Sequence, residues 1–236
     1  NPEIMKKYLS ACDFTGHDKS SIRWYGSDTE TKFNQHSKSK RTRKLLEKNG
    51  WKEDSISYDF NNDGFRDKEF EQNAICFFGC SIGFGVGVKE HDRFSNLIAD
   101  TLGIRCNNLC IPGTGSDTTA RIFPYWIEKL KPKIVVNHFM WNSRREYITG
   151  NDIWLWLVNE RRSRKKFKHF LDDEFIQKKT IENTEVIKQC CQIVNVPYIR
   201  YGNDFSDNSG RDLIHPGPKA HQIMADKILE LIQKHL

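Results

Sequence analysis

The sequence predicts an α/β/α sandwich: one short parallel β-sheet held between two layers of helices. Three observations predict it. Short apolar runs at 74–78, 104–110, 133–139 and 197–201 have the length of strands buried on both faces. Segments with apolar residues three and four apart lie between them, and strands separated by helices become parallel neighbours joined by right-handed crossovers. A length of 236 residues suffices for one such core with decorations.

The elements follow in order. Residues 1–55 are polar and read as a polar, basic extension ahead of a domain spanning 56–236. Within the extension, the basic run Lys38–Lys44 is expected as a solvated helix face or loop. Ser57–Asn61 reads as a short strand and Asn62-Asp63-Gly64 as a turn. Asp59-Phe60-Asn61-Asn62-Asp63-Gly64 matches the start of a calcium-binding EF-hand loop. The twelfth position of that loop is Phe70 where a glutamate is needed, so a turn with Asx chemistry is expected instead.

Ala74–Phe78 reads as a strand that stops at Gly79. Asp92–Leu102 places Phe94, Leu97, Ile98 and Leu102 on one helical face, with Gly103 as its terminator. Ile104–Cys110 is a second strand. Asp117–Leu130 is a helix with Ser116 or Asp117 as N-cap. Lys133–Phe139 is a third strand, followed by a polar, arginine-rich stretch from Asn142 to Lys168. Inside that stretch, residues 151–170 look inserted: Trp154 and Trp156 precede Arg161, Arg162, Arg164, Lys165, Lys166 and Lys168. Two forms are open for it, an exposed amphipathic helix over one sheet face or a cap contacting an anionic or carbohydrate ligand. A long helix at 173–194, a strand at Pro197–Tyr201 and a helix from Pro218 to about His235 complete the chain.

Composition narrows the function classes. The net charge of +6 favours an anionic surface or substrate but does not by itself indicate nucleic acid. No apolar run approaches the roughly 18 residues that span a bilayer. No signal peptide is visible, although the chain begins at Asn1. Seven cysteines, mostly in apolar context and without a C-x-x-C pair, read as reduced core thiols. That favours a reducing, cytoplasmic setting, with no metal expected. Gly83-Phe84-Gly85-Val86-Gly87 follows a strand but lacks the spacing of a dinucleotide fingerprint; its glycines suit close approach of a substrate to the backbone.

The chemistry concentrates at strand ends. In Gly79-Cys80-Ser81 a serine follows a buried strand through a small-residue turn, where a nucleophile would be exposed to a ligand. A serine needs a base, an orienter for that base and donors aimed at the developing oxyanion. Asp212-Leu213-Ile214-His215-Pro216 offers base and orienter three residues apart on a loop that opens the last helix. His91, His138, His169 and His221 are rival bases without such an arrangement. Gly113, after the second strand, offers a backbone N–H, and Asn142, after the third, a side-chain amide.

Ser81, Gly113, Asn142 and the Asp212/His215 pair, in this order and each at a strand end, resemble the four blocks of the SGNH (GDSL-type) hydrolase superfamily. The chain is most similar to a branch with a Gly-Cys-Ser start, found in bacteria and tailed phages. The resemblance covers roughly residues 56–235 and implies the SGNH, flavodoxin-like α/β/α fold without a cofactor. It implies Ser81 as nucleophile, His215 as base, Asp212 as its orienter, and Ser81 N–H, Gly113 N–H and the Asn142 amide as oxyanion hole. Cys80 replaces the family's Asp, which is not the catalytic acid. Met140 and Ser143 replace the Gly and Asp that commonly flank the third-block Asn. Trp141, Arg144, Arg145, Trp154 and Trp156 are then expected to line or brace a substrate site. The expected activity is serine-esterase or deacylase hydrolysis of a small-molecule or glycan ester, with a short acyl (acetyl) group on a carbohydrate preferred. A lipase or thioesterase, and a catalytically degenerate binding or structural module, remain open.

Overall fold

The structure, a computed structural model, describes residues 8–138, 144–149, 152–157, 173–202 and 208–236. Before the main sheet lie α1 (Cys12–Thr15), β1 (Ser21–Ile22), α2 (Glu30–Lys38), α3 (Lys40–Lys48) and β2 (Tyr58–Asp59), with β1 and β2 antiparallel. The main body then runs β3 (Ile75–Phe78), α4 (Ser81–Phe84), α5 (Phe94–Leu102), β4 (Cys106–Asn108), α6 (Ser116–Leu130) and β5 (Ile134–His138). It continues through β6 (Arg144–Thr149), β7 (Asp152–Leu157), α7 (Asp173–Ile193), β8 (Tyr198–Tyr201) and α8 (Pro218–Ile232).

The sheet has the order β4-β3-β5-β8, and all its described pairings are parallel, with Ile75 opposite both Cys106 and Ile134, and Val135 opposite Tyr198. The period-two alternation of a strand sorts its side chains between two cores. Ile75, Phe77, Ile134, Val136 and Ile199 face one core with Phe94 and Ile98 of α5 and Met224, Ala225 and Ile228 of α8. Cys76, Phe78 and Val135 face the other, with Ile122, Phe123 and Trp126 of α6 and Ile187 and Cys191 of α7. Two helical layers therefore enclose one sheet, the α/β/α sandwich expected from the alternating pattern. Burying the Phe77 and Phe78 side chains contributes about 2 kcal/mol each.

The described residues before 56 pack into this body. Leu46 and Trp51 are buried in the same core as Phe77 and Phe84, with Ile22, Tyr25 and Phe33 packed against it. The basic run at 38–44 lies on α2 and α3, where Leu46 is the buried residue of α3. Asn61 Oδ1 accepts the backbone N–H groups of Asp63 and Phe65 at 3.1 and 3.0 Å, the Asx chemistry expected there.

Two expectations need correction. The N-cap of α6 is Gly115, without a side-chain cap; Asp117 instead accepts from Asn183 Nδ2 (2.6 Å) and the Glu146 N–H (3.0 Å). Part of the inserted segment is a strand where an amphipathic helix was one expectation: β6 and β7 form an antiparallel hairpin from Arg144↔Leu157 to Thr149↔Asp152. The alternation of Ile153, Leu155 and Leu157 with Trp154 and Trp156 has the period of a strand. The basic positions 161–168 lie outside the described residues.

Cys76, Cys80, Cys106, Cys110 and Cys191 are buried thiols outside any disulfide. Burial pushes the Cys76 thiol up to about 12. Among the described residues, no helix is long and apolar enough to cross a membrane.

Candidate active site

Ser81 opens α4 directly beyond the C-terminal end of β3. Its turn is tied down by Phe84 N–H to Cys80 O (2.9 Å) and by Gly85 and Val86 N–H to Ser81 O (3.1 Å each). The following backbone is gripped by the buried Arg66, which donates to the carbonyls of Phe84, Gly85 and Val88 and lies over the Tyr58 ring. Burial, and then the nearby Arg93 charge, bring the Arg66 guanidinium down to about 9. Ser81 is almost wholly buried, at 7% exposure.

The second strand delivers Gly113 to the same end of the sheet. Beyond β4, Leu109 N–H donates to Phe77 O (2.8 Å) and Ile111 N–H to Gly79 O (3.0 Å), so the parallel pairing continues to within two residues of Ser81. Asn108 Nδ2 donates to Gly83 O at 2.8 Å, fixing this strand to the serine turn. Gly113 follows with φ 81° and open space where a Cβ would stand, a backbone state that glycine adopts without steric cost.

Asp212 and His215 meet as the three-residue spacing predicts. His215 Nδ1 lies 2.6 Å from Asp212 Oδ2, with the carboxylate fully buried and the imidazole 17% exposed. Asp212 Oδ1 accepts the backbone N–H groups of Ile214 and His215, both at 3.0 Å. This close wrap places Leu213 at φ 55°, a left-handed conformation that costs about 1 kcal/mol. Burial alone would push the Asp212 carboxyl up; the hydrogen bond and charge of His215, with the Ser27 hydroxyl and the His215 N–H, outweigh it and hold it below the usual carboxylate value. The ionised carboxylate keeps the proton of neutral imidazole on Nδ1 and leaves Nε2 as the acceptor.

The two halves abut through Gly87. Its carbonyl accepts the Arg211 N–H at 2.7 Å, and a Cβ on Gly87 would lie 3.0 Å from Asp212 Oδ1. The backbone leaving Ser81 thus supports the acid–base loop six residues later. The Ser81 hydroxyl itself contacts Cys80 Sγ at 4.0 Å, and among the described residues no hydrogen bond joins it to His215.

The remaining expected residues divide. Arg145 pairs with Asp117 at 3.0 Å and lies over the Phe175 ring, and Arg144 approaches Thr114 O at 3.5 Å. Both brace the hairpin against the start of α6, beside Gly113. Trp141 and Asn142 lie outside the described residues. Trp154 and Trp156 pair with Tyr147 and Arg145 in the hairpin register, and their side chains lie outside what is described.

Sequence reasoning missed a group of supporting residues. Ser27 donates to Asp212 Oδ2 at 2.6 Å. Arg211 forms a fully buried ion pair with Asp28 at 2.8 Å and lies 3.9 Å from the centre of the Trp24 ring. Tyr58 donates to Asp28 at 2.6 Å and accepts the Gly87 N–H at 2.9 Å. The Gly26-Ser27-Asp28 triplet does carry a turn signature, but no local pattern links it to residues more than 180 positions away.

No protein-family model matches the chain, and no curated protein matches its sequence. Solved structures do resemble it. An acetyl xylan esterase (Est2A) from the rumen bacterium Butyrivibrio proteoclasticus matches at 15% identity and a TM-score of 0.40, over 71% of this chain and 65% of its own length. TesA matches at 13% and 0.43, over 69% of this chain and 99% of its own. The psychrotrophic esterase EstA from Pseudoalteromonas sp. matches at 17% and 0.39, over 69% and 98%. The matched region is under two thirds of the first of these proteins, and at such scores the likeness lends no weight to an activity. The chain has an α/β/α fold, with Ser81, Gly113 and the Asp212–His215 pair following strands of one parallel sheet.

Proposed function

We propose that the chain is a serine esterase of the SGNH type, with Ser81 as nucleophile, His215 as general base and Asp212 as orienter. The observation that carries this reading is the Asp212–His215 pair: a buried carboxylate with a full set of donors, held on a loop that rests on the backbone leaving Ser81. On substrate binding the Ser81 hydroxyl turns from Cys80 toward the imidazole, since catalytic hydrogen bonds commonly tighten only in the complex. Ser81 Oγ attacks the ester carbonyl and its proton passes to His215 Nε2. The oxyanion is met by the N–H groups of Ser81 and Gly113 and by the Asn142 amide. Collapse expels the alcohol, which takes the proton from His215, and leaves an acyl-enzyme. Water, deprotonated by His215, releases the acid and restores Ser81.

A short acyl group on a polar glycan fits best. Tryptophans interleaved with arginines and lysines follow β5, and aromatic faces with cationic neighbours suit sugar rings and anions better than a lipid chain. Acetate release from acetylated oligosaccharides, measured beside hydrolysis of long-chain p-nitrophenyl esters, tests this. Faster acetate release, abolished by Ser81→Ala, is expected; faster long-chain cleavage overturns the substrate class. A second reading, a binding or structural module with a silent site, draws on the Ser81 hydroxyl facing Cys80. Glycan binding by a chain that cleaves no ester would favour it.

A further inference from the structure

The turn carrying Ser27 is mounted on the Asp212 loop from two sides. Tyr25 and Asp28 exchange backbone hydrogen bonds at 2.9 and 3.1 Å. They close a two-residue turn whose first member, Gly26, holds φ 63°, as a hairpin turn led by glycine does. Consecutive residues of the turn meet consecutive residues of the loop: Ser27 Oγ donates to Asp212 Oδ2 at 2.6 Å, and Arg211 donates to the Asp28 carboxylate through Nε at 3.0 Å and Nη2 at 2.8 Å. Tyr58 ties this mount to Gly87 and hence to the loop leaving Ser81. With Ser27 in place the Asp212 carboxylate has four donors, two on each oxygen.

We propose that Ser27 is a positioning residue for the Asp212–His215 pair, its hydroxyl fixing the carboxylate so that Oδ2 receives the imidazole Nδ1–H. The role rests on the triad reading given above. Ser27 Oγ also lies 3.3 Å from His215 Nδ1. Because Nδ1 carries its own proton in the working tautomer, the hydroxyl proton goes to the carboxylate. Without Ser27, Oδ2 keeps one donor, the carboxylate turns more freely about χ2, and the imidazole spends less time aligned with Ser81.

Ser27→Ala and Ser27→Thr in the full chain test this by steady-state kinetics on a short ester and by the far-downfield proton resonance of His215 Nδ1–H. Ser27→Ala is expected to lower kcat about tenfold with KM held within about twofold, the pattern of a lost interaction with a charged group that acts after binding. The Nδ1–H resonance is expected to move or broaden, and Ser27→Thr to restore both. Wild-type kcat together with an unmoved resonance in Ser27→Ala overturns the role. If the wild type cleaves no ester yet its resonance is lost in Ser27→Ala and recovered in Ser27→Thr, the positioning role stands and the hydrolase reading fails. Should Ser27→Ala not fold, the similarly shaped pair Ser27→Thr and Ser27→Val makes the same comparison.

Discussion

Replacing Gly87 by alanine probes the contact on which the site's assembly depends. Gly87 sits at φ 78°, and the added Cβ would lie 3.0 Å from Asp212 Oδ1, 3.1 Å from Arg211 N and 3.3 Å from Asp212 N. The left-handed conformation costs alanine about 1 kcal/mol. The crowding adds about 1–2 kcal/mol, because two of the three neighbours are backbone and cannot turn aside. Gly103→Ala isolates the first cost: φ there is 63°, with nothing within 4 Å of the new Cβ. Urea unfolding is therefore expected to show about 1 kcal/mol lost for Gly103→Ala and about 2–3 kcal/mol for Gly87→Ala. The functional readout should separate the two further. Pressure on Asp212 Oδ1 weakens its bonds from Ile214 and His215, so Ser81 should react with a fluorophosphonate about tenfold more slowly in Gly87→Ala. Gly103→Ala should react at the wild-type rate. Equal destabilisation of the two variants, with unchanged labelling in both, would refute the reasoning.

Other predictions follow from buried charge. His221 is fully buried, accepts the Phe94 N–H at 3.2 Å, and is held down to about 3 by burial and by the nearby His138, Arg93, Arg66 and His215. The unfolded chain takes up a proton below about pH 6.5 that the folded chain refuses, so His221 makes stability fall as pH drops, by about 3 kcal/mol between about pH 7.5 and 4.5. His221→Asn keeps an acceptor for Phe94 and should flatten that slope; parallel pH–stability curves for variant and wild type would contradict the assignment. Arg211→Met leaves the buried Asp28 carboxylate without its cation, 2.8 Å away in the intact protein, and should cost about 3–5 kcal/mol in unfolding experiments. Arg211→Met combined with Asp28→Asn should recover part of that loss, and failure to do so would show that the two residues act separately.

The parts of this structure readable in the sequence were those encoded locally. β3 and β5 announce themselves because both faces of each strand are buried, which makes them apolar runs. Gly103 closes α5 at the expected place because a left-handed residue ends a helix. The Asp212–His215 contact was legible because three residues of loop suffice to close it. What was missed depends on distance along the chain. Ser27 and Asp28 look like ordinary turn residues, and Arg211 like a surface cation, until the fold places them together across 185 and 183 positions. The polar composition of residues before 56 concealed that Leu46 and Trp51 are core residues, because exposed lysines and arginines dominate any average over α2 and α3. The β6–β7 hairpin was obscured by its arginines and tryptophans, which fit an amphipathic helix as readily as a strand when only composition is weighed.

The central claim is that a serine at the end of β3 is activated by a histidine on the loop before α8. Fluorophosphonate labelling with the modified peptide located by mass spectrometry tests it directly, on the wild type, Ser81→Ala and His215→Ala. Modification of Ser81 in the wild type, absent in Ser81→Ala and slowed by about a hundredfold or more in His215→Ala, is the predicted result. A wild-type chain that stays unlabelled, or labelling of Ser81 at the same rate with and without His215, would contradict it.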